Sequence, residues 1–287
     1  MKLPYRLARR FVAGETLKDA LPVVKQLNAN GMRVALDLLG EYVSHREIAD
    51  AARDAYITVV HTIAAEREKN GMDANVSIKL SMIGQKIDEA FCLDNLRHLL
   101  DSARGRDVFI RLDMEGSDIT ESTLALFEEV YPEYPDHVGI VLQAYLKRTE
   151  QDVRRMCDLN APVRICKGAY KEPASIAYQD MPKIRERFMA YTKLLVLHTP
   201  NPGIATHDDR LISETREFVA QNGISSDQFE FQMLYGIRPE TQKQLVAQGY
   251  HMRVYTPYGT EWVPYFTRRL RERKENVWFI LRNLLKT

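Results

Sequence analysis

The sequence predicts an α/β protein whose eight parallel strands close into a (β/α)8, TIM-like barrel. Three observations support this: eight short segments rich in β-branched residues, a helix-forming stretch after each of them, and a length of 287 residues, which is usual for such a barrel. Strict alternation of strands and helices gives a parallel sheet, and eight such units can close on themselves. The predicted strands are 34–43, 75–81, 108–115, 137–145, 163–170, 203–208, 229–236 and 252–259.

An open, doubly wound sheet is the alternative architecture. Such a sheet usually carries a glycine-rich phosphate loop after its first strand. Here that position holds LLGEYVS, with one glycine, so the barrel is favoured. No low-complexity tract or Pro/Ser-rich linker interrupts the chain. We therefore predict one domain over 1–287, with an N-terminal helical extension over 1–31 that includes a helix at 15–31, the barrel over 34–275, and a C-terminal helical tail over 276–287.

Composition narrows the functional class. The net charge is +1, so the chain has no overall field that would attract nucleic acid, and no nucleic-acid partner is predicted. Its three cysteines have no metal-ligand spacing, which is typical of a reducing compartment. We found neither a signal-peptide pattern nor an apolar run of the roughly 18 residues that span a membrane. A cytoplasmic location is expected, with peripheral contact with the inner face of the membrane as the alternative.

Polar residues lie at or near the end of every predicted strand, where barrel enzymes place their active sites. Burying such groups unpaired is costly. Any one of them alone could be an ordinary interior ion pair or a rim residue, but together they favour a shared ligand. They are Glu41, Lys79, Asp113, Gln143, Arg164 with Lys167, Thr206 with His207, Gln232 and Tyr255.

This set is rich in cations and has no nucleophile–base pair. There is no GxSxG or HExxH motif, and no second histidine follows His207 at helical spacing, so no metal site is predicted. Beyond the eighth strand, Arg268 and Arg269 stand side by side, a pattern suited to holding a carboxylate. A site that binds anions without a protein nucleophile is typical of an enzyme whose chemistry belongs to a cofactor.

Several short motifs resemble those of the proline dehydrogenases. VRICKGAYKEP, ATHD, FEFQMLYGI, RVYTPYG and YFTRRL occur in this order, and LDLLGE, SIKLS and VLQAYLKR fit the same pattern. The resemblance spans about residues 15 to 276 and is to the short, monofunctional bacterial form. It implies a distorted barrel that binds FAD at the carboxyl ends of its strands, with the last helix running over the barrel mouth.

The resemblance also implies a reaction. L-Proline would be oxidised to Δ1-pyrroline-5-carboxylate by hydride transfer to flavin N5, the first step of proline catabolism to glutamate. Electrons would pass to a membrane quinone, ubiquinone or menaquinone, and the product to a separate pyrroline-5-carboxylate dehydrogenase. The enzyme is thus expected to be a flavin-dependent oxidoreductase acting on CH–NH donors.

Site residues are carried over by motif. The implied cofactor contacts are Asp113, Met114, Val141, Gln143, Arg164, Lys167, Gly168, Ala169, Tyr170, Ala205, Thr206, His207, Gln232, Leu234 and Glu272. The implied substrate contacts are Lys79, Asp113, Leu234, Tyr255, Tyr265, Arg268 and Arg269, with Arg164, Lys79 and Asp113 as the catalytic group and Glu41 as an ion-pair gate to the arginines.

Physical reasoning adds roles to these residues. Arg268 and Arg269 would bind the substrate carboxylate, and Arg164 would stabilise charge that develops near N5. Asp113 and Lys79 are expected to pair, which would leave Lys79 cationic and the acceptor of the amine proton unidentified. Two departures from the family pattern are Asp208, where an asparagine is frequent, and Lys171, where the bifunctional enzymes carry a bulky aromatic.

Two other functional classes stay open from the residues alone. One is a barrel enzyme that acts on a phosphorylated substrate or uses a phosphate-bearing cofactor other than FAD. The other is a non-catalytic binding protein on the same fold. The amphipathic segment 277–285 fits either packing on the barrel or contact with a membrane surface.

Overall fold

Eight parallel strands form a closed barrel in the computed structural model, which describes residues 8–265 and 267. Each strand pairs with the next in sequence, and β1 pairs with β8 to close the ring. The predicted barrel is therefore confirmed. The strands are β1 (Arg33–Leu38), β2 (Ala74–Ile78), β3 (Ile110–Leu112), β4 (Val138–Gln143), β5 (Val163–Cys166), β6 (Gly203–Ala205), β7 (Glu230–Leu234) and β8 (His251–Tyr258).

Helices connect the strands and cover the outside of the barrel. A first helix, α1, precedes β1 as predicted, and a capping box between Thr16 and Asp19 fixes its start. None of the helices among the described residues is long and apolar enough to cross a membrane. The helices are α1 (Leu17–Ala29), α2 (Arg46–Asn70), α3 (Glu89–Arg104), α4 (Thr120–Val130), α5 (Thr149–Asp158), α6 (Met181–His198), α7 (Asp209–Gln221) and α8 (Pro239–Ala247).

The observed strands are mostly shorter than the predicted ones at their carboxyl ends. The run 34–43 leaves the sheet after Leu38, and 203–208 leaves it after Ala205. The residues beyond these points turn over the barrel mouth and are no longer part of the strands. Tyr255, predicted to lie at or near a strand end, does not end β8: the strand continues to Tyr258, near its predicted end, and Tyr255 stands opposite the last residue of β7. Strands of a tilted barrel are staggered, so neighbours end at different heights.

A second, smaller apolar cluster lies over the carboxyl ends of the strands. Phe11 and Val12 pack there with Leu39, Trp262 and Tyr265. Residues 262–265 are helical, and Trp262 and Tyr265 of this segment pack on the barrel mouth and on the N-terminal residues Phe11 and Val12. The predicted division of the chain into extension, barrel and tail stays a prediction, since 268–287 lie outside the described residues.

The barrel interior is polar where most barrels of this kind are filled with aliphatic side chains. In its lower part, Glu230 accepts hydrogen bonds from Arg253 at 2.7 Å and from Gln232 at 2.6 Å. Two strand glycines leave room for this layer. A Cβ on Gly203 would stand 2.4 Å from Gln232 Nε2, and one on Gly139 2.5 Å from Arg111 Nη1. These long polar side chains replace an aliphatic filling. Glu230 is hydrogen-bonded to Gln232 and Arg253, whereas Arg111 donates to the backbone carbonyl of Pro162 at 2.6 Å.

Burial alone would raise the pKa of Glu230, but Arg253, Arg33 and Gln232 outweigh burial and lower it from 4.5 to about 2. The folded-state pKa lies below the ordinary value. The ionised pair therefore stabilises the fold above about pH 4.5, and this contribution is lost as the pH falls toward 2.

We expect Glu230→Gln to lower the free energy of unfolding by about 3–5 kcal/mol at pH 7, because it removes the nearest counter-charge of the buried Arg253 and leaves only Asp73, at 3.8 Å. Urea unfolding measures this loss. Glu214→Gln, in the exposed pair with Arg210, is the matched control and should cost at most about 0.5 kcal/mol. The difference between wild type and Glu230→Gln should shrink between pH 4.5 and 2. A loss no larger than that of the control would contradict a stabilising pair.

Candidate active site

A cavity of about 1040 Å³ opens at the carboxyl ends of the strands. It exceeds the roughly 300–1,000 Å³ usual for small-molecule sites. The structure brings most of the predicted site residues together around it. They are Lys79, Asp113, Met114, Val141, Arg164, Lys167, Gly168, Ala169, Tyr170, Ala205, Thr206, His207, Gln232, Leu234, Tyr255 and Tyr265.

Arg164 and Asp113 form the floor of this cavity. Arg164 Nη1 donates to Asp113 Oδ1 at 2.7 Å, and Tyr255 Oη donates to Asp113 Oδ2 at 2.6 Å. The remaining donors of Arg164 reach Ser77 Oγ, at 3.1 Å, and Gln232 Oε1. The Arg164 guanidinium also lies 5.3 Å from the centre of the Tyr255 ring. Side chains from β5 and β8 thus hold the Asp113 carboxylate, and side chains from β2 and β7 in turn hold Arg164.

The predicted pairing of Lys79 with Asp113 is wrong. Lys79 Nζ instead donates to Asp37 Oδ1 at 2.7 Å, and both groups are buried at the cavity wall. Asp113 is already held by Arg164 and Tyr255, while Asp37 projects from the neighbouring strand β1 toward β2. The expected consequence, a cationic Lys79, nevertheless follows from the observed pair.

Two pKa shifts define the protonation states at the floor. Burial lowers the pKa of Lys79, but Asp37 and Asp113 more than offset it, so the pKa lies above its usual value. Burial and the nearby Asp113 carboxylate hold the pKa of Tyr255 well above its ordinary value. At neutral pH the floor therefore presents an ammonium group and a neutral phenol that donates to a carboxylate.

The rim of the cavity carries further cations, each with an acid beside it. Asp208 Oδ2 accepts from Lys167 Nζ and, at 2.7 Å, from Arg185 Nε. Its other oxygen accepts from the backbone N–H of Arg210 and caps α7. Burial opposes ionisation of Asp208, but the two cations lower its pKa to about 2. Asp208, the departure from the family pattern, is thus a charged bridge at the rim.

His207 is a hydrogen-bonding group of the cavity wall. Its Nε2 accepts from the backbone N–H of Leu234 at 2.9 Å, and its carbonyl accepts from Arg238 Nη1 at 2.6 Å. Accepting at Nε2 requires a neutral ring with the proton on Nδ1. The side chain therefore links the ends of β6 and β7.

Gly168 gives the cavity room beside Tyr145. Its backbone φ of +121° is one that residues other than glycine rarely adopt. A Cβ at this position would also stand 2.1 Å from the Tyr145 ring. The loop after β5 can therefore fold closely onto the β4 end only with glycine at this position.

Some predicted residues are not at the cavity wall. Gln143 is buried behind it, where it donates to the Glu115 carbonyl at 2.8 Å and accepts from the Ala169 N–H at 3.4 Å, so it positions the β5 loop. Glu41 is partly buried and is not among the residues that line the cavity. Arg268, Arg269 and Glu272 lie outside the described residues, and the gate between Glu41 and the arginines stays a prediction.

The structure adds lining residues that the sequence analysis missed. Asp37 could have been found, since it is an acid inside the apolar run VALDLL. Arg185 lies near the start of α6, and Arg238 directly precedes α8. No local sequence pattern distinguishes either of them from surface arginines. Tyr145 ends the predicted strand 137–145, and the sequence alone does not distinguish it from other aromatic residues in strands. Only closure of the barrel places these side chains together.

A barrel with a large cavity at the carboxyl ends of its strands, and with buried paired charges on its floor, defines the class of (β/α)8 enzymes. The family model described as proline dehydrogenase matches residues 20–282. The chain belongs to the proline dehydrogenase family, and the predicted enzyme class is confirmed.

Individual relatives agree with this assignment. The chain is 42% identical to proline dehydrogenase 1 of Bacillus subtilis strain 168 over 279 residues, which is 97% of this chain and 91% of the relative. It is 40% identical to proline dehydrogenase of Deinococcus radiodurans over 289 residues, or 98% and 91% of the two chains. The solved structure of proline utilization A from Bdellovibrio bacteriovorus, inactivated by N-propargylglycine, is similar with a TM-score of 0.86 and 27% identity. That match covers 92% of this chain and 32% of the other.

Proposed function

We propose that the protein oxidises L-proline to Δ1-pyrroline-5-carboxylate with bound FAD and passes the electrons to a membrane quinone. The observation that carries this proposal is the floor of the cavity, where a carboxylate and an ammonium group are fixed beneath partly apolar walls. Two single-function relatives named proline dehydrogenase, matched over nine-tenths of their length, support the choice of substrate.

The donor set of the cavity fits a flavin dinucleotide. Met114, Val141 and Leu234 offer apolar contact for a ring system, and the rim cations Lys167 and Arg185 suit a diphosphate. Gly168 lets the loop after β5 lie against the Tyr145 ring, and both residues line this cavity. When bound, FAD would supply the two-electron acceptor of the reaction.

The side chains at the floor suit a zwitterionic substrate. Asp113, held on both oxygens, presents a fixed negative charge to a substrate ammonium group. Arg268 and Arg269 would bind the carboxylate bidentately and so fix the orientation of the ring. Positioning of this kind supplies much of the rate of a bimolecular step. Arg164 would stabilise negative charge that develops at the acceptor.

The electron acceptor and the destination of the product rest on the family resemblance. A membrane quinone, ubiquinone or menaquinone, requires contact with the bilayer surface, for which the amphipathic segment 277–285 is the candidate. The product would then be oxidised by a separate pyrroline-5-carboxylate dehydrogenase.

An absorption spectrum of the purified protein, before and after anaerobic addition of L-proline, tests the proposal. We expect a flavin band that bleaches with proline. A protein that has no such band even after FAD is added would instead favour the enzyme class that acts on phosphorylated substrates. A band that proline does not bleach would contradict the proposed substrate.

We expect Gly168→Ala to reduce the flavin content of the purified protein, because the new methyl group and the Tyr145 ring cannot share the same space. Gly249→Ala is the control: it also has a positive φ, of +84°, but a Cβ there meets nothing within 4 Å. The control should lose only about 1–3 kcal/mol of stability through backbone strain. Equal flavin content in the two variants would refute the role of Gly168.

Changing Arg268 or Arg269 to Met should raise KM for proline by about 10- to 150-fold, since a charged hydrogen bond contributes roughly 1.5–3 kcal/mol. Steady-state kinetics with a soluble quinone analogue give KM, and the flavin spectrum reports whether the cofactor site is intact. Wild-type KM in both variants would exclude the arginine pair from substrate binding.

We expect the enzyme to prefer proline to trans-4-hydroxyproline, with Tyr255 as the wall that excludes the added hydroxyl. An apolar pocket wall discriminates against one extra hydroxyl by about 10²-fold. Tyr255→Ser should narrow this preference and slow proline oxidation. Tyr255→Phe keeps the ring but loses the hydrogen bond to Asp113, so it should slow the reaction and preserve the preference. The measurement is kcat/KM for both substrates, and an unchanged ratio in Tyr255→Ser would rule out this wall.

A further inference from the structure

We propose that Asp37 is a positioning residue of the reaction: it holds Lys79 as a fixed, permanently charged ammonium group at the cavity floor, so that Lys79 acts as a cation and not as a base. This inference rests on the proposed oxidation of an amino acid in the cavity. It concerns one residue that the sequence motifs did not single out.

The geometry supports a dedicated pair. Asp37 is 1% exposed and lies one residue before the end of β1, where its register partner is Ser77 of β2. Its carboxylate accepts from Lys79 Nζ at 2.7 Å, and both residues line the cavity. An aspartate inside an otherwise apolar strand is costly to bury, and the pair with Lys79 offsets this cost. Asp37 therefore stabilises Lys79 in its charged form and fixes its place.

The charges around Lys79 come from several elements. Three carboxylates raise its pKa, and burial opposes them. Among these acids, Asp113 is engaged by Arg164 and Tyr255, and Glu115 accepts two hydrogen bonds from Ser81, so neither is bonded to Lys79. The titratable and charged groups that surround the pair are Asp113, Glu115, Arg164, Tyr56, Tyr255 and Tyr258. Asp37 is thus the acid in direct contact with the ammonium group.

A consequence for the chemistry follows from this arrangement. A lysine that acts as a base must spend part of its time neutral, which requires a lowered pKa. The carboxylates around Lys79 instead raise its pKa. The amine proton of the substrate is therefore not taken up by Lys79, whose charge instead complements negative charge in the cavity.

The pH dependence of kcat/KM for proline tests this role in Asp37→Asn. The carboxamide keeps the size of the side chain but removes the charge, so burial should lower the pKa of Lys79. As the pH rises through that value the ammonium group is lost, and kcat/KM should fall about tenfold for each further pH unit, relative to wild type. Wild type should show no such decline over the same range.

Arginine at position 79 separates the two roles of the lysine. A guanidinium group stays charged at any pH of the assay. Lys79→Arg should therefore keep activity within about tenfold of wild type, and the alkaline decline should vanish in the double variant Asp37→Asn/Lys79→Arg. Loss of a catalytic base would instead cost about 10²- to 10⁴-fold. If Asp37→Asn does not fold, the Lys79→Arg result alone decides between a cation and a base.

Controls distinguish this inference from the proposed function. Asp152→Asn removes another buried, ion-paired aspartate, outside the cavity, and should leave the pH profile unchanged. Higher activity of Asp37→Asn at neutral pH, or a pH profile identical to that of wild type, would overturn the inference. A wild-type protein whose flavin is not bleached by proline would contradict the proposed function, whereas a flavin that is bleached together with a wild-type pH profile in Asp37→Asn would contradict only the role of Asp37.

Discussion

The candidate site depends on the buried contact between Arg164 and Asp113. Arg164 lies on β5 and donates to acceptors on β2 and β7 and directly after β3, each with a different guanidinium nitrogen. A guanidinium group has five donors in a rigid fork, so one side chain can fix several strands at once. Because Asp113 is held at both oxygens, the negative charge at the cavity floor has one position. The cation, the phenol and the cavity walls are arranged around it.

Polar filling of the barrel explains how such charges are tolerated. Glu230, Gln232 and Arg253 form a continuous layer beneath Arg164, so the buried charges of Glu230, Arg253 and Arg164 each have hydrogen-bond partners. Glycines on β4 and β6 make room for this layer. An aliphatic filling would contribute more through burial but would leave Arg164 without acceptors below it. The barrel interior therefore has less apolar packing, and the polar floor of the cavity is held in a fixed position.

The rim and the floor differ in how their charges are balanced. At the floor Lys79, Asp37 and Arg164 are buried and Asp113 is nearly so, which favours a fixed geometry. At the rim Lys167 and Arg185 share one oxygen of Asp208 and are partly exposed. The two rim cations are thus more accessible to a bound anionic group than Lys79 and Arg164 are. A cavity of this kind suits a small substrate that is oriented at the floor and an anionic group that is bound at the rim.

The sequence by itself determined the barrel, because strand and helix periodicity is a local property, and it placed most of the cavity residues, because polar groups stood out at the ends of apolar runs. The pairing of charges was decided only by the tertiary structure. Lys79 was assigned to Asp113, yet it pairs with Asp37, and Arg164 takes Asp113 instead. Only the tertiary structure shows that Arg185 and Arg238 line the cavity, because the segments that carry them have no distinguishing sequence pattern. Strand stagger and barrel closure fix which side chains meet, and these depend on contacts between residues far apart in the chain.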